Sequence, residues 1–552
     1  MNRRVFFGKT GISIAACGIS FFSPLASRKW DRESEDLISE DDQQLFIGED
    51  IAVAQTKYGK VKGFLQRGIM VFRGIPYGLD TSGKNRFMPP QPPKPWKGTL
   101  PVVFYGNTAP QNIYNRSPKS YSAFVDHWNY DEVSEDCLRL NIWSPGIDGF
   151  KRPVLVWLHG GGFLNGNGIE QDGYNGENFS RDGNIVFCSI NHRLGPFGFA
   201  DFSGISEKYK YSGNVGMLDI VAALKWINEN IQNFGGDPNN VTIMGQSGGG
   251  DKVCTLANMS ETKGLVHKAV ALSGSNTRAL DNSYTRQLGR FILKEANLKD
   301  DEIDRLQEIP WPEYQRLAYK AAEKLQEQTG KTFIRGSFAP NADGDVIPAG
   351  EYFENKENRP DIPLLLCSTF HEWNPNRDSP ELENISLNEV IDKLENKFGD
   401  RSKEIVGAYS INFPNARPIE IWALILSNRQ TIIETANAKL KQNSSVYLAW
   451  FGWESPLFDG RHRSFHCLDI SFWFLNTDRM ITHTGGGISP RKLSKKMSES
   501  LIAFMKTGDP NCNSLPSWPK YTKENVETMI LDNQCSVQYN PDKRGRLSII
   551  NS

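Results

Sequence analysis

The chain has 552 residues, 39% hydrophobic and 11% aromatic, which is more apolar material than one minimal domain buries. Its 63 Lys and Arg are balanced by 64 Asp and Glu, a formal net charge of -1. With no basic field to hold a polyphosphate, nucleic acid is excluded as a natural partner. Eight cysteines are scattered without CxxC or other ligand spacing, which argues against a zinc site and against a dense disulfide framework.

Residues 1–27 open with Arg3-Arg4 and a modestly apolar run through Phe22, a pattern that resembles a twin-arginine export signal and implies a periplasmic or extracellular location. The run is too short and Gly-rich to span a bilayer. Ile14-Ala15-Ala16-Cys17 also resembles a lipobox, so a lipid anchor at Cys17 is a second reading. Residues 28–50 carry three basic against nine acidic side chains, the composition of a flexible linker.

From Ile51 to Ser552, short apolar runs alternate with amphipathic ones, which predicts a single α/β domain. Pro153–Leu158, Ile185–Ile190 and Val241–Met244 read as buried parallel strands. Leu218–Phe234 has the 3.6-residue spacing of a helix, stopped by Gly235-Gly236-Asp237-Pro238. Stretches 280–345 and 380–443 are charged and mostly helical, as insertions covering one end of a sheet would be.

Gly245-Gln246-Ser247-Gly248-Gly249 fits G-x-S-x-G, a weak pattern alone in a glycine-rich chain. Its setting strengthens it: a strand feeds the motif and a helix-compatible stretch, Gly250–Met259, leaves it, as a nucleophile elbow requires. The glycines let the turn hold Ser247 with its hydroxyl exposed. His159-Gly160-Gly161-Gly162-Phe163 follows another buried strand and supplies amide donors for an oxyanion, so Gly161, Gly162 and Gly248 are the candidate oxyanion hole. Met singly, such glycines are a plain turn and such a serine a helix cap; together they predict the α/β-hydrolase fold, a large mostly parallel sheet flanked by helices.

In that fold the order is serine, acid, histidine. His462, His466 and His483 lie late enough. His462 sits between Arg461 and Arg463, which oppose its protonation, and His483 adjoins Gly485-Gly486-Gly487. His466 precedes an apolar segment able to anchor it and is the preferred base; His462 and His466, at i and i+4, lack a third metal ligand. Glu372, just past the apolar run Ile362–Cys367, is the preferred acid over Asp343 and Asp345, whose Asp-Gly setting reads as a turn.

These residues resemble the type B carboxylesterase and cholinesterase family, with a bacterial-looking character. Phe72-Arg-Gly-Ile-Pro-Tyr77, Ser134-Glu-Asp-Cys-Leu-Arg-Leu-Asn-Ile142, Asn191-His-Arg-Leu-Gly195, Phe234-Gly-Gly-Asp-Pro238 and Thr507-Gly-Asp-Pro510 match its motifs in order. The resemblance implies a triad of Ser247, Glu372 and His466, acting on an ester with water and with no metal or organic cofactor. The chain departs from the family in carrying Gln246 and Gly248 where Glu and Ala are usual, and Cys137 has no mature upstream partner for the familiar disulfide. Without a carboxylate beside the serine, neutral small to medium esters are expected over choline esters. Trp128, near the family's cation-binding tryptophan, reads as a packing residue. Two rivals remain: a non-catalytic binding or adhesion protein on the same scaffold, and a serine hydrolase of amide, carbamate, lactone or lipid bonds. Cys512 and Cys535 are the one cysteine pair to test for a bridge.

Overall fold

Eight strands form the frame that carries the site: β1 (Arg139–Ser144), β2 (Arg152–Leu158), β3 (Val186–Ile190), β4 (Gly236–Gln246), β5 (Lys268–Leu272), β6 (Leu364–Thr369), β7 (Val446–Phe451) and β8 (Glu527–Leu531). They come from a computed structural model that describes residues 43–112, 125, 129, 131–332, 336–354 and 356–550. The expected export signal, Cys17 and Trp128 lie outside the described residues.

The strands lie in the order β1-β3-β2-β4-β5-β6-β7-β8 within a 12-stranded sheet, parallel from β3 to β8. Antiparallel strands extend both edges: Ile69–Pro76, Phe64–Gln66 and Leu45–Phe46 beyond β1, and Ser536–Tyr539 beyond β8. The buried stretches of the central strands are mostly apolar because both faces are covered. Along β2, Val154, Val156 and Leu158 enter one core while Leu155 and Trp157 enter the other, the two-residue alternation of a pleated strand.

Helix α1 (Val215–Asn230) buries Met217, Ile220, Val221, Leu224 and Ile227, starting three residues before the expected Leu218. A 3-10 turn continues to Phe234, and Gly235 at φ 79° ends it, as its left-handed geometry allows. β4 begins at Gly236, earlier than the expected Val241, because an irregular pairing with β2 between Gly236 and Val241 absorbs Pro238.

One expectation needs correction, and one open pairing is answered. The linker placed at 28–50 ends sooner, since Leu45 and Phe46 pair with Gln66 and Leu65 and Glu49 meets Lys62 at 2.7 Å; the acidic count hid the apolar Leu45-Phe46-Ile47 run. Cys512 and Cys535 are both free thiols, Cys535 donating to the Asp532 carbonyl at 3.2 Å. The stretches 280–345 and 380–443 are built mainly of helices, among them Trp311–Thr329 and Leu387–Phe398.

Candidate active site

Ser247 stands between β4 and helix α2 (Gly248–Leu256) with φ 56° and ψ -124°, a conformation that costs a non-glycine residue about 1–3 kcal/mol. The surroundings impose it. Ser247 N–H donates to the Leu272 carbonyl on β5 at 2.7 Å, and its carbonyl accepts from Asp251 at 3.1 Å in the first turn of α2. A methyl on Gly249 would lie 2.1 Å from the Leu158 carbonyl, and one on Gly274 would lie 1.8 Å from that of Ser247. The elbow is therefore wedged between β2 and the turn after β5, with glycine at each close approach.

The loop after β2 brings Gly161 (φ 80°) and Gly162 (φ 63°) against this elbow. A Cβ on Gly248 would meet the Gly162 carbonyl at 2.1 Å, so Gly162 and the start of α2 touch backbone to backbone. Among the described residues the N–H groups of Gly161, Gly162 and Gly248 donate to no protein acceptor, while the Gly161 carbonyl turns away to accept from Leu164 and Asn165. Three amides left free beside a strained serine can receive a negative oxygen.

Glu372 follows β6, and His466 lies on the segment after β7. His466 Nδ1 donates to Glu372 Oε2 at 2.5 Å, while Glu372 Oε1 accepts the Thr369 N–H at 2.7 Å. Burial works against ionisation of Glu372, but His466, Ser273 and the Thr369 N–H outweigh it and hold the carboxyl below its usual range. Burial likewise opposes protonation of His466, and Cys467 and Glu372 outweigh it, raising its pKa well above the ordinary imidazole value. The Trp373 ring stacks on His466 at 5.4 Å.

The nucleophile side is joined less directly. His466 Nε2 faces the Gln246 side-chain amide at 3.1 Å, and among the described residues Ser247 Oγ makes no hydrogen bond. The structure thus brings Glu372 and His466 together and sets the residue before Ser247 against His466.

The alternatives fall elsewhere. Asp343 accepts from Asp345 and Ile347 within its turn and from the Asn214 side chain before α1, and Asp345 pairs with Lys210. His483 Nε2 meets the Val125 carbonyl at 2.9 Å, and the buried His462 is held neutral by burial and by Arg377 and Arg461, its pKa pushed down to about 4. Both line a cavity of about 280 Å³ that reaches His466 past Phe465, Trp373 and Arg377. Among the nearby aromatic residues Phe465 borders this cavity, while Phe163, Trp450, Trp453 and Trp473 are buried in the cores.

Sequence reasoning passed over two buried groups. Asp469, three residues past His466, accepts from Trp473 Nε1 at 3.1 Å, and burial together with Glu372 pushes its carboxyl up to about 7. Lys252, in the second turn of α2, is fully buried and donates to the His159 carbonyl at 3.0 Å. The available signal was a Lys in a segment otherwise suited to burial.

Residues 50–546 match the model of the carboxylesterase family. The chain is 31% identical to para-nitrobenzyl esterase of Bacillus subtilis (strain 168), covering 91% of this chain and 99% of that one, and 31% identical to phenmedipham hydrolase of Pseudarthrobacter oxydans, covering 87% and 95%. Among solved structures, an esterase of Clostridium hathewayi, described as hydrolysing aliphatic aromatic polyesters, superposes with a TM-score of 0.79 at 32% identity over 92% of this chain and 99% of that one.

Proposed function

Because this chain belongs to the carboxylesterase family, we propose that it hydrolyses neutral small to medium carboxylic esters through an acyl-enzyme on Ser247, with His466 as base and Glu372 as orienting acid. The supporting observation is the 2.5 Å Glu372–His466 pair beside a strained serine whose neighbouring glycine amides are free. Glu372 fixes which imidazole nitrogen carries the proton and stabilises the imidazolium.

In the first step Gln246 yields His466 Nε2 to the Ser247 hydroxyl. His466 takes the Oγ proton as Oγ attacks the ester carbonyl, and the new oxyanion rests on the N–H groups of Gly161, Gly162 and Gly248. Collapse breaks the bond to the alcohol, which leaves with the proton from His466. Water then repeats the sequence on the acyl-enzyme, releasing the acid and free Ser247. Replacing Ser247 by Ala should lower turnover of p-nitrophenyl butyrate on the order of a million-fold and abolish fluorophosphonate labelling. Normal hydrolysis by S247A refutes the assignment, and failure of the native chain to label favours the binding-protein alternative.

Arg3-Arg4 and the following apolar run support export by a twin-arginine route, with Cys17 as a candidate lipid attachment point. Retention of an Arg3→Lys, Arg4→Lys variant in the cytosol would support it; unchanged export would refute it.

A further inference from the structure

Lys252 is five residues beyond Ser247 on α2, and its side chain runs back toward the helix N-terminus, as helical side chains do. Its Nζ donates to the His159 carbonyl at 3.0 Å and lies 5.5 Å from the centre of the Phe163 ring. His159 and Phe163 bracket the three glycines of the oxyanion loop, so one ammonium contacts both ends of that loop from beneath. The same His159 carbonyl would stand 2.9 Å from a Cβ on Gly249, which shows how closely the loop is pressed to the nucleophile helix.

The groups around Lys252 explain why a charge survives there. Asp251 on its own helix and Glu170 beyond the glycine loop favour the ammonium. His159 and His192, stacked at 5.1 Å, are held uncharged mainly by burial and also by Lys252 itself. A hydrogen-bonded lysine at 0% exposure beside two neutral imidazoles is costly to bury, and packing alone would be met as well by methionine.

We propose that Lys252 is a positioning residue of the oxyanion hole, its buried ammonium pinning the His159 carbonyl so that the Gly160–Gly162 loop is fixed against Ser247 with the Gly161 and Gly162 amides held ready for a developing negative oxygen. The donated hydrogen bond anchors the His159–Gly160 peptide, the point from which the Gly161 and Gly162 amides are carried toward Ser247. The positive charge acts through the loop in a dry site, where its field is little screened. Only the ammonium does both, so turnover depends on its protonation. Burial pushes the Lys252 pKa down to about 7, against the pull of Asp251 and Glu170, which places loss of the charge within the working range.

This inference rests on the Ser247 mechanism, and its test separates the two. In Lys252→Met, kcat for p-nitrophenyl butyrate at pH 7 should fall about tenfold or more with KM within about twofold, because the loss is confined to the transition state. The decline of wild-type kcat on the alkaline side should disappear from the variant's pH profile. The melting temperature serves only to confirm folding, since the exchange removes a desolvation cost but leaves the His159 carbonyl without its donor. Lys252→Gln keeps an N–H donor and removes only the charge, so it should also lose the alkaline limb and serves if Met does not fold. A folded variant with wild-type kcat and an unaltered alkaline limb, in an enzyme that S247A silences, overturns the role of Lys252 alone. Activity surviving S247A would instead overturn the mechanism beneath it.

Discussion

Gly248→Ala is the smallest perturbation that probes the oxyanion hole directly. The added methyl would lie 2.1 Å from the Gly162 carbonyl oxygen and 2.4 Å from its Cα, both backbone atoms that cannot rotate away. Ordinary contact begins at 3.4 Å, so the loop and α2 must separate by 3.4 minus 2.1, or 1.3 Å. Strain of this kind costs about 1–3 kcal/mol, offset in part because Ala is the better helix former by about 1 kcal/mol. Stability should therefore fall by at most about 2 kcal/mol, while a 1 Å misplacement of catalytic groups is worth up to about a hundredfold in rate. The expected outcome is a kcat for p-nitrophenyl butyrate lower by about 10²-fold, with KM nearly unchanged. Active-site concentration would be fixed by fluorophosphonate titration. A folded G248A with kcat within about threefold of wild type would show that Gly162 and Gly248 do not jointly hold the oxyanion.

Replacing Glu372 by Gln removes the carboxylate 2.5 Å from His466. It should lower kcat by about 10³ to 10⁴ and move the acid limb of kcat/KM to lower pH; an unmoved limb would assign that limb to another group. Gln246→Glu places a carboxylate beside His466, so the limb should shift to higher pH and hydrolysis of acetylcholine should rise relative to a neutral butyrate ester. Equal changes for both substrates would dissociate residue 246 from cation preference. For Asp469, whose pKa is raised from the ordinary 3.8 to about 7, the folded state binds the extra proton between those values. Its contribution to stability is complete below the lower value and is lost as pH rises to the upper one, by up to about 1.4 kcal/mol per pH unit. Asp469→Asn should flatten the fall in melting temperature from pH 4 to 7; parallel profiles for variant and wild type would contradict the coupling.

The legible parts of this molecule are those where one chemical requirement acts on consecutive residues. Strands covered on both faces must be mostly apolar, so β2, β3 and β6 stand out in the sequence, and the strained elbow demands glycines at fixed offsets from Ser247. Glu372 and His466 could be ranked because each adjoins such a strand or apolar segment, and their meeting across 94 positions in sequence follows from β6 and β7 being neighbours in the sheet. What stayed hidden depends on a partner that local pattern does not name. The Leu45–Phe46 edge strand is defined by Leu65 and Gln66, and its charged flank argued for a spacer. Lys252 drew no notice because lysines usually lie at the surface, and its burial rests on the backbone carbonyl of His159, 93 positions earlier, and on the charges of Asp251 and Glu170. Gln246 illustrates the same point at the site: its identity was read as the loss of a negative charge, whereas its amide also stands at the imidazole nitrogen that the serine needs. Substitution at residue 246 therefore alters two things at once, the field acting on a substrate and the competition for His466 Nε2. Gln246→Ala separates them, since it adds no charge yet frees the nitrogen, and under this reasoning it should raise the rate of Ser247 labelling while leaving the ratio of cationic to neutral ester turnover where it was.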